Sequence, residues 1–240
     1  MPLPHLCFSF DIPCSLNDAL KKQEHLFHRS VEKDTWDFII FAEHAPVYTY
    51  TPGKLSDEQL FRNGDPLSLS APLVAVRRGG AITFHGPGQL VCYFIFDLAR
   101  RGIGVLQFTD AIDMALCELL LRFGIRGKSK PLHLPSAANG IWVESADGRE
   151  KKIASRGLLV RQGYNPFHLI TRFGCALNIS TDLRMFAPIY PCGLEIEMTS
   201  VKEETGQSPD LRDTAYAFSE IFSKNLGHFG EGAKEKRHSS

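Results

Sequence analysis

The 240-residue chain contains no apolar run near the roughly 18 uninterrupted residues that a membrane-spanning helix needs. Met1 to Asp11 has neither the basic start nor the long apolar stretch of a secretory signal, so the cytoplasm is the expected compartment and no membrane partner is expected. Neither sign of charge is in excess, since 27 Lys and Arg balance 27 Asp and Glu. That balance gives no general attraction to nucleic acid, and leaves only local basic patches for an acidic partner. The six cysteines, at 7, 14, 92, 117, 175 and 192, form no CxxC or CxxH pair and no close-spaced framework. No zinc site and no disulfide scaffold is expected, and most of these thiols read as small buried hydrophobes.

What is present is ample apolar material, 43% of the residues, for one sizeable core. The pattern predicts a strand over His5–Asp11 and a helix capped by Ser15, with Asp18 at the capping-box position. Strands are predicted over Asp37–Ala42, in a Val-Tyr-Thr-Tyr stretch inside the turn-rich segment Glu43–Lys54, over Leu73–Val76 and over Gln89–Leu98. Residues 55–72 read as an exposed loop with a short helical piece. Phe108, Ile112, Ala115, Leu116, Leu119, Leu120 and Phe123 share one face of what is predicted to be the longest helix, Val105–Phe123. A Pro-containing loop then leads into a hairpin of Gly140–Glu144 with Ile153–Arg161, turning at Ala-Asp-Gly-Arg. Strands follow at His168–Thr171 and Gly174–Ile179, then a final helix over about Leu211–Lys224 and a frayed polar tail from Gly230. No repeat and no regular βαβ rhythm is visible. The expectation is an α+β fold, a mixed and mostly antiparallel sheet flanked by helices, forming a single domain over 1–229.

Three segments do not look like scaffold. Arg77 to Gln89 packs four glycines and a proline around two arginines and His85, a composition that suits a sharp turn or a close approach to a ligand. It lacks the Gly-Lys-Ser/Thr ending of a P-loop and does not fit GxGxxG; alone it is also compatible with a plain hairpin turn. Lys151-Lys152-Ile153-Ala154-Ser155-Arg156-Gly157 starts with two lysines, a type that ordinarily faces solvent. Pro191-Cys192-Gly193 places a cysteine at a turn, where its sulfur can be reached, unlike Cys92 and Cys117 within strand and helix patterns.

Taken together, the stretch from Glu43 to about Val201 resembles the lipoyl(octanoyl) transferases of the lipoate- and biotin-protein ligase superfamily. The resemblance rests on Glu43-His44 with Pro46-Val47-Tyr48-Thr49, on RGGxxTxHGPGQL, on GxWV before KIASxG, on GxALN, and on PCGL followed by Thr199-Ser200-Val201. It implies transfer of an octanoyl group from octanoyl-acyl carrier protein to the lysine of a lipoyl domain. The acceptor would belong to a 2-oxoacid dehydrogenase complex or be the glycine-cleavage H protein. It further implies Cys192 as the nucleophile that holds the acyl group as a thioester, and Lys152 as its partner. The family's substrate-binding positions fall on Arg78, Gly79, Gly80, Ala81, Ile82, Thr83, Phe84 and His85, on Ser155, Arg156 and Gly157, and on Gly174, Cys175 and Ala176. No metal and no cofactor is implied, and the expected state is a monomer. The chemistry is coherent, because thiolate is the reactive form of cysteine and a neighbouring ammonium favours it.

The sequence departs from the family pattern at Phe173, where histidine is common, at Ala81 for glutamine, at Phe84 for tyrosine, and at Arg156 for an apolar residue. Two other readings compete: an amidotransferase moving lipoyl or octanoyl groups between carrier proteins, and a non-catalytic acyl-binding relative. An ATP-using ligase needs no thiol.

Overall fold

The structure, a computed structural model, describes residues 6–31, 36–130, 139–145, 148–163, 165–193 and 195–235, with side chains as far as 229. In chain order the strands are β1 (Leu6–Cys14), β2 (Asp37–His44), β3 (Val47–Tyr50), β4 (Leu73–Ala75), β5 (Ile82–His85), β6 (Gln89–Ile95), β7 (Gly127–Ser129), β8 (Gly140–Glu144), β9 (Glu150–Arg156), β10 (Leu159–Gln162), β11 (Leu169–Arg172), β12 (Gly174–Asn178) and β13 (Glu197–Met198). The helices are α1 (Leu16–Val31), α2 (Asp57–Leu60), α3 (Leu98–Arg101), α4 (Val105–Arg122), α5 (Val201–Thr205) and α6 (Leu211–Glu235).

A strand covered on both faces is apolar on both, as Phe38–Ala42 of β2 and Leu90–Ile95 of β6 are. Ile39 and Phe41 of β2, with Leu90, Cys92 and Phe94 of β6, face α4 and α6. The alternate residues Phe38, Ile40 and Ala42, with Val91, Tyr93 and Ile95, face α1. These two strands are the middle of a sheet ordered β1-β2-β6-β12-β9-β8-β7, in which β13 also pairs with β9. β1 runs parallel to β2 and β13 parallel to β9, whereas the other pairings are antiparallel. The mixed, mostly antiparallel sheet flanked by helices is therefore as expected.

The face toward α4 and α6 is an aromatic cluster of Phe94, Phe96, Phe108, Phe218 and Phe222. Each such buried ring contributes roughly 1.5–3 kcal/mol of transfer free energy. On the other face, α1 begins where Ser15 Oγ accepts the Asp18 N–H at 3.1 Å, and it lays Leu16, Ala19, Leu26 and Phe27 on the sheet. A separate small sheet, β4-β3-β5, closes a third core of Tyr48, Phe61, Ile82, Phe84, Phe186 and Ile189.

Several boundaries differ from the sequence expectation. Ile82–His85, read as part of a glycine-rich turn, is strand β5, because its four residues are all buried and pair with β3. Leu98 starts α3 instead of ending a strand, since the Asp97 carboxylate caps the Arg100 N–H at 3.1 Å. The hairpin partner of β8 ends at Arg156; β10 then pairs with β11 in its own two-stranded sheet. The final helix runs to Glu235, beyond Lys224, so the longest described helix is α6 and not α4. His5, Ala146 and Asp147 of the hairpin turn, residues 131–138 of the Pro-containing loop, and the tail from residue 236 lie outside the described residues.

Candidate active site

Lys151 and Lys152 are adjacent in sequence and opposite in fate, because successive side chains of a strand leave opposite faces. Lys151 pairs with Glu197 at 2.9 Å at the surface, with 19% of its side chain exposed. Lys152 is fully buried, and its Nζ lies 5.5 Å from the centre of the Trp142 ring on the paired strand β8. Room for the lysine chain comes from Gly140, whose φ is +137°. A Cβ there would sit 2.1 Å from the Ala154 carbonyl oxygen and 2.9 Å from Lys152 Cε. The expectation that a lysine before a strand stays in solvent holds for Lys151 and fails for Lys152.

Lys152 Nζ donates to Cys192 Sγ at 3.6 Å. Cys192 sits at the centre of the turn Pro191–Gly193, with φ +60° and ψ +13°. This left-handed conformation costs a residue with a side chain about 1–2 kcal/mol. The turn is held where the Gly193 N–H meets the Tyr190 carbonyl at 2.7 Å. The sulfur was expected to be reachable at this turn; the residue is 9% exposed and lines a cavity.

That cavity offers about 530 Å³ of space between the atoms, part of it open solvent. Period-two alternation on β5 decides which of the motif residues reach it. Thr83 and His85 line it, while Ile82 and Phe84, together with Ala81, turn into the third core beside Tyr48 and Phe186. Arg78, Gly79, Gly80, Ser155, Arg156, Gly157, Gly174, Cys175 and Ala176 also line it, so the three expected segments meet there with Cys192. The glycines serve a purpose that composition did not reveal. Gly79 and Gly157 face each other backbone to backbone, and a Cβ on either would meet a carbonyl oxygen of the opposite segment at 2.9 Å.

The apolar wall comes from Leu16, Val76, Val91, Tyr93, Phe173 and Ala176, four of which had not been singled out from sequence: Leu16, Val76, Val91 and Tyr93. Phe173 joins β11 to β12 with φ +57°, its N–H held by Gln23 Oε1 of α1 at 3.0 Å. Its ring meets Tyr93 edge-on at 6.2 Å.

The polar side is electrostatically uneven. The Arg78 guanidinium donates to the Thr49 carbonyl at 2.9 Å, to Thr49 Oγ1 at 2.8 Å and to the Gly79 carbonyl at 2.7 Å. Burial lowers its pKa, and no carboxylate pairs with it among the described residues. Burial, then the nearby His44 and Arg78, pull the pKa of His85 down to about 3, so its ring is neutral at physiological pH. His85 Nδ1 contacts Gln89 Oε1 at 2.6 Å. Gln89 Nε2 donates to Asn178 Oδ1 at 2.9 Å, and Asn178 Nδ2 to the Thr199 carbonyl at 2.9 Å. His44 is also kept neutral by burial, with Nδ1 on the Cys14 carbonyl at 2.9 Å and Nε2 on the Tyr93 hydroxyl at 2.7 Å. Arg156 forms a buried ion pair with Asp113 of α4, whose carboxyl burial pushes up while Arg156 pulls it back.

Gln89, Asn178 and Asp113 were not singled out as site residues. Their signal was present as polar residues inside otherwise buried apolar patterns, but only the strand register, which sets Asn178 opposite Gln89, and the Arg156–Asp113 ion pair show what they do.

A buried thiol receiving an ammonium N–H, beside a cavity with one apolar wall, is equipped to carry an acyl group between two substrates. Residues 15–223 match the family described as the lipoyl protein ligase A/B catalytic domain, and the chain belongs to that family. It is similar to the octanoyltransferase of Bacteroides fragilis, at 36% identity over 73% of this chain and 75% of that one. The octanoyltransferase of Rhodospirillum rubrum is 33% identical over 90% of this chain and 93% of its own. These relatives make the chain an acyltransferase. The fold is also that of lipoate-protein ligase A bound with ATP, with a TM-score of 0.66 at 15% identity over 95% and 92% of the two chains. The bi-partite lipoate protein ligase of Thermoplasma acidophilum superposes with a TM-score of 0.60 at 14% identity, over 97% and 92%.

Proposed function

We propose that this protein transfers an octanoyl group from octanoyl-acyl carrier protein, through a thioester on Cys192, to the lysine of a lipoyl domain. The acceptor is a 2-oxoacid dehydrogenase subunit or the glycine-cleavage H protein. The observation that carries the reading is the buried contact of Lys152 Nζ with Cys192 Sγ at 3.6 Å, at the edge of an apolar-walled cavity. Similar proteins from Bacteroides fragilis and Ralstonia pickettii are octanoyltransferases, which supports the choice of acyl group. No described helix is long and apolar enough to cross a membrane. A monomeric cytoplasmic enzyme with one catalytic domain over 1–229 fits that reading.

The reaction has two halves. The Cys192 sulfur, its negative charge held by the Lys152 ammonium, attacks the donor thioester; the new S–C bond forms as the carrier thiolate leaves. That thiolate takes the proton from Lys152, which becomes a neutral amine. The acceptor lysine, also as a neutral amine, then attacks the acyl-Cys192 carbonyl. The amide N–C bond forms, the C–S bond breaks, and Lys152 takes the amine proton, which restores the starting pair. Arg78, which no carboxylate pairs among the described residues, offsets charge developing on the carbonyl oxygen.

The test is transfer from purified octanoyl-acyl carrier protein to an isolated lipoyl domain without ATP. The expected product is the lipoyl domain heavier by one octanoyl group. A requirement for ATP would identify a ligase instead, and absence of any product would favour an acyl-binding relative without turnover.

A further inference from the structure

The hydrogen bonds behind His85 allow only one assignment of donors and acceptors. The Phe84 and Thr199 carbonyl oxygens can only accept. Phe84 O receives Gln89 Nε2 at 3.2 Å, and Thr199 O receives Asn178 Nδ2 at 2.9 Å. Each amide is thereby fixed end for end, and the contact between Gln89 Nε2 and Asn178 Oδ1 at 2.9 Å agrees with both assignments. The Gln89 oxygen must then be the atom 2.6 Å from His85 Nδ1, and an amide oxygen only accepts. His85 consequently carries its proton on Nδ1, and Nε2 keeps its lone pair. The same chain continues past His85's supports to the nucleophile's partner, because the Thr199 N–H donates to the Lys152 carbonyl at 3.0 Å.

We propose that Gln89 and Asn178 are positioning residues of the transfer reaction: they hold His85 as the neutral Nδ1–H tautomer, with Nε2 as a fixed hydrogen-bond acceptor in the acyl cavity. A reacting amine must present its lone pair to the thioester carbonyl, which leaves its N–H groups to be oriented by acceptors. Nε2 is such an acceptor. The ring is too weakly basic to keep a proton there, so it orients the amine without competing with Lys152 for the proton. The amides therefore act mainly on deacylation, when the amine is in the site, and less on acylation of Cys192. Buried amides in a satisfied chain resist reversal, since turning either one leaves two acceptors facing each other.

The kinetic part rests on the proposed octanoyl transfer; the tautomer does not, because it is measured on the free enzyme. Protein labelled with ¹⁵N-histidine is examined by long-range ¹H–¹⁵N correlation near neutral pH, with His85→Gln used to assign the signals. The expected wild-type spectrum shows a protonated Nδ1 and an unprotonated Nε2 for His85. In Gln89→Met the ring loses its acceptor, and the tautomers should mix. Deacylation by the lipoyl domain should fall at least about tenfold, a change of about 1.4 kcal/mol, while acylation of Cys192 changes less than about threefold. Should Gln89→Met not fold, Gln89→Glu is read by the titration of His85 instead. It keeps the acceptor toward Nδ1, removes both amide donors, and should raise the pH at which His85 titrates. A protonated Nε2 in the wild type overturns the proposal, as does a folded Gln89→Met with wild-type tautomer and deacylation rate, or a folded Gln89→Glu in which His85 titrates as it does in the wild type. Failure to form any Cys192 adduct would instead overturn the octanoyl-transfer reading and leave the tautomer result standing.

Discussion

Acid should weaken this protein through His85, by an amount that can be worked out in advance. The folded ring titrates at about 3, against 6.5 for an ordinary histidine, because it is desolvated and lies near His44 and Arg78. As pH falls through about 6.5, the unfolded chain takes up a proton that the folded chain refuses until pH approaches 3. The unfolded state binds the extra proton, so stability declines as pH falls across this window, by up to about 1.4 kcal/mol per pH unit for this one group. Between about pH 7 and about pH 4.5 the loss comes to roughly 2.5 kcal/mol. Asp37 and Asp113 act in the opposite direction, since burial holds their carboxyls above the ordinary range and acid favours the folded forms. The His85 contribution must therefore be read as a difference. Urea unfolding of wild type and of His85→Gln, which does not titrate, should be compared near both pH values. Wild type should lose about 2–3 kcal/mol more than the variant on acidification. Equal losses would mean that the folded ring takes its proton at the ordinary pH, and the neutral acceptor inferred for the cavity would not exist.

Other outcomes follow from the same geometry. Lys152→Met should slow iodoacetamide alkylation of Cys192 near neutral pH and reduce turnover at least about tenfold, a change of about 1.4 kcal/mol; Lys151→Ala, which removes only a surface pair, should stay within about twofold. Gly140→Ala forces a Cβ to 2.1 Å from the Ala154 carbonyl and should destabilise the fold by more than about 2 kcal/mol in thermal or urea unfolding. If it folds with normal stability, the tight β8–β9 contact is wrong. Phe173→His exchanges an apolar ring in the cavity wall for a hydrogen-bonding one. In a competition between octanoyl and lipoyl donors, wild type should prefer octanoyl, and the variant should shift that ratio by less than about 2 kcal/mol. A wild-type preference for lipoyl donors would favour an amidotransferase.

Local patterns carried much of the architecture. The two-faced burial of β2 and β6 is visible as unbroken apolar runs, and the α4 stripe from Phe108 to Leu120 is visible as helical spacing. The small sheet was harder to read, because β5 lies between glycine clusters that look like a turn. Its strand character comes from pairing with β3, a contact distant in sequence. The extent of α6 was missed because a polar end gives no apolar period to follow. At the site, Cys192, Lys152 and the three wall segments were recognisable by motif, yet motif membership did not separate Thr83 and His85 from Ala81, Ile82 and Phe84. Strand alternation does. The amides Gln89 and Asn178 stand in the HGPGQL and GxALN motifs but had no role assigned, because their meaning lies in a cross-strand register, and Leu16 was missed because it reaches the cavity from a helix far from every motif.

The central claim is that Cys192 carries the acyl group. Wild-type protein incubated with octanoyl-acyl carrier protein, with no acceptor and no ATP, should gain the mass of one octanoyl group. Hydroxylamine should remove that mass, and peptide mapping should place it on the peptide containing Cys192, with none formed by Cys192→Ser. A hydroxylamine-sensitive adduct on Cys175 or Cys14, or one that persists in Cys192→Ser, would contradict the account.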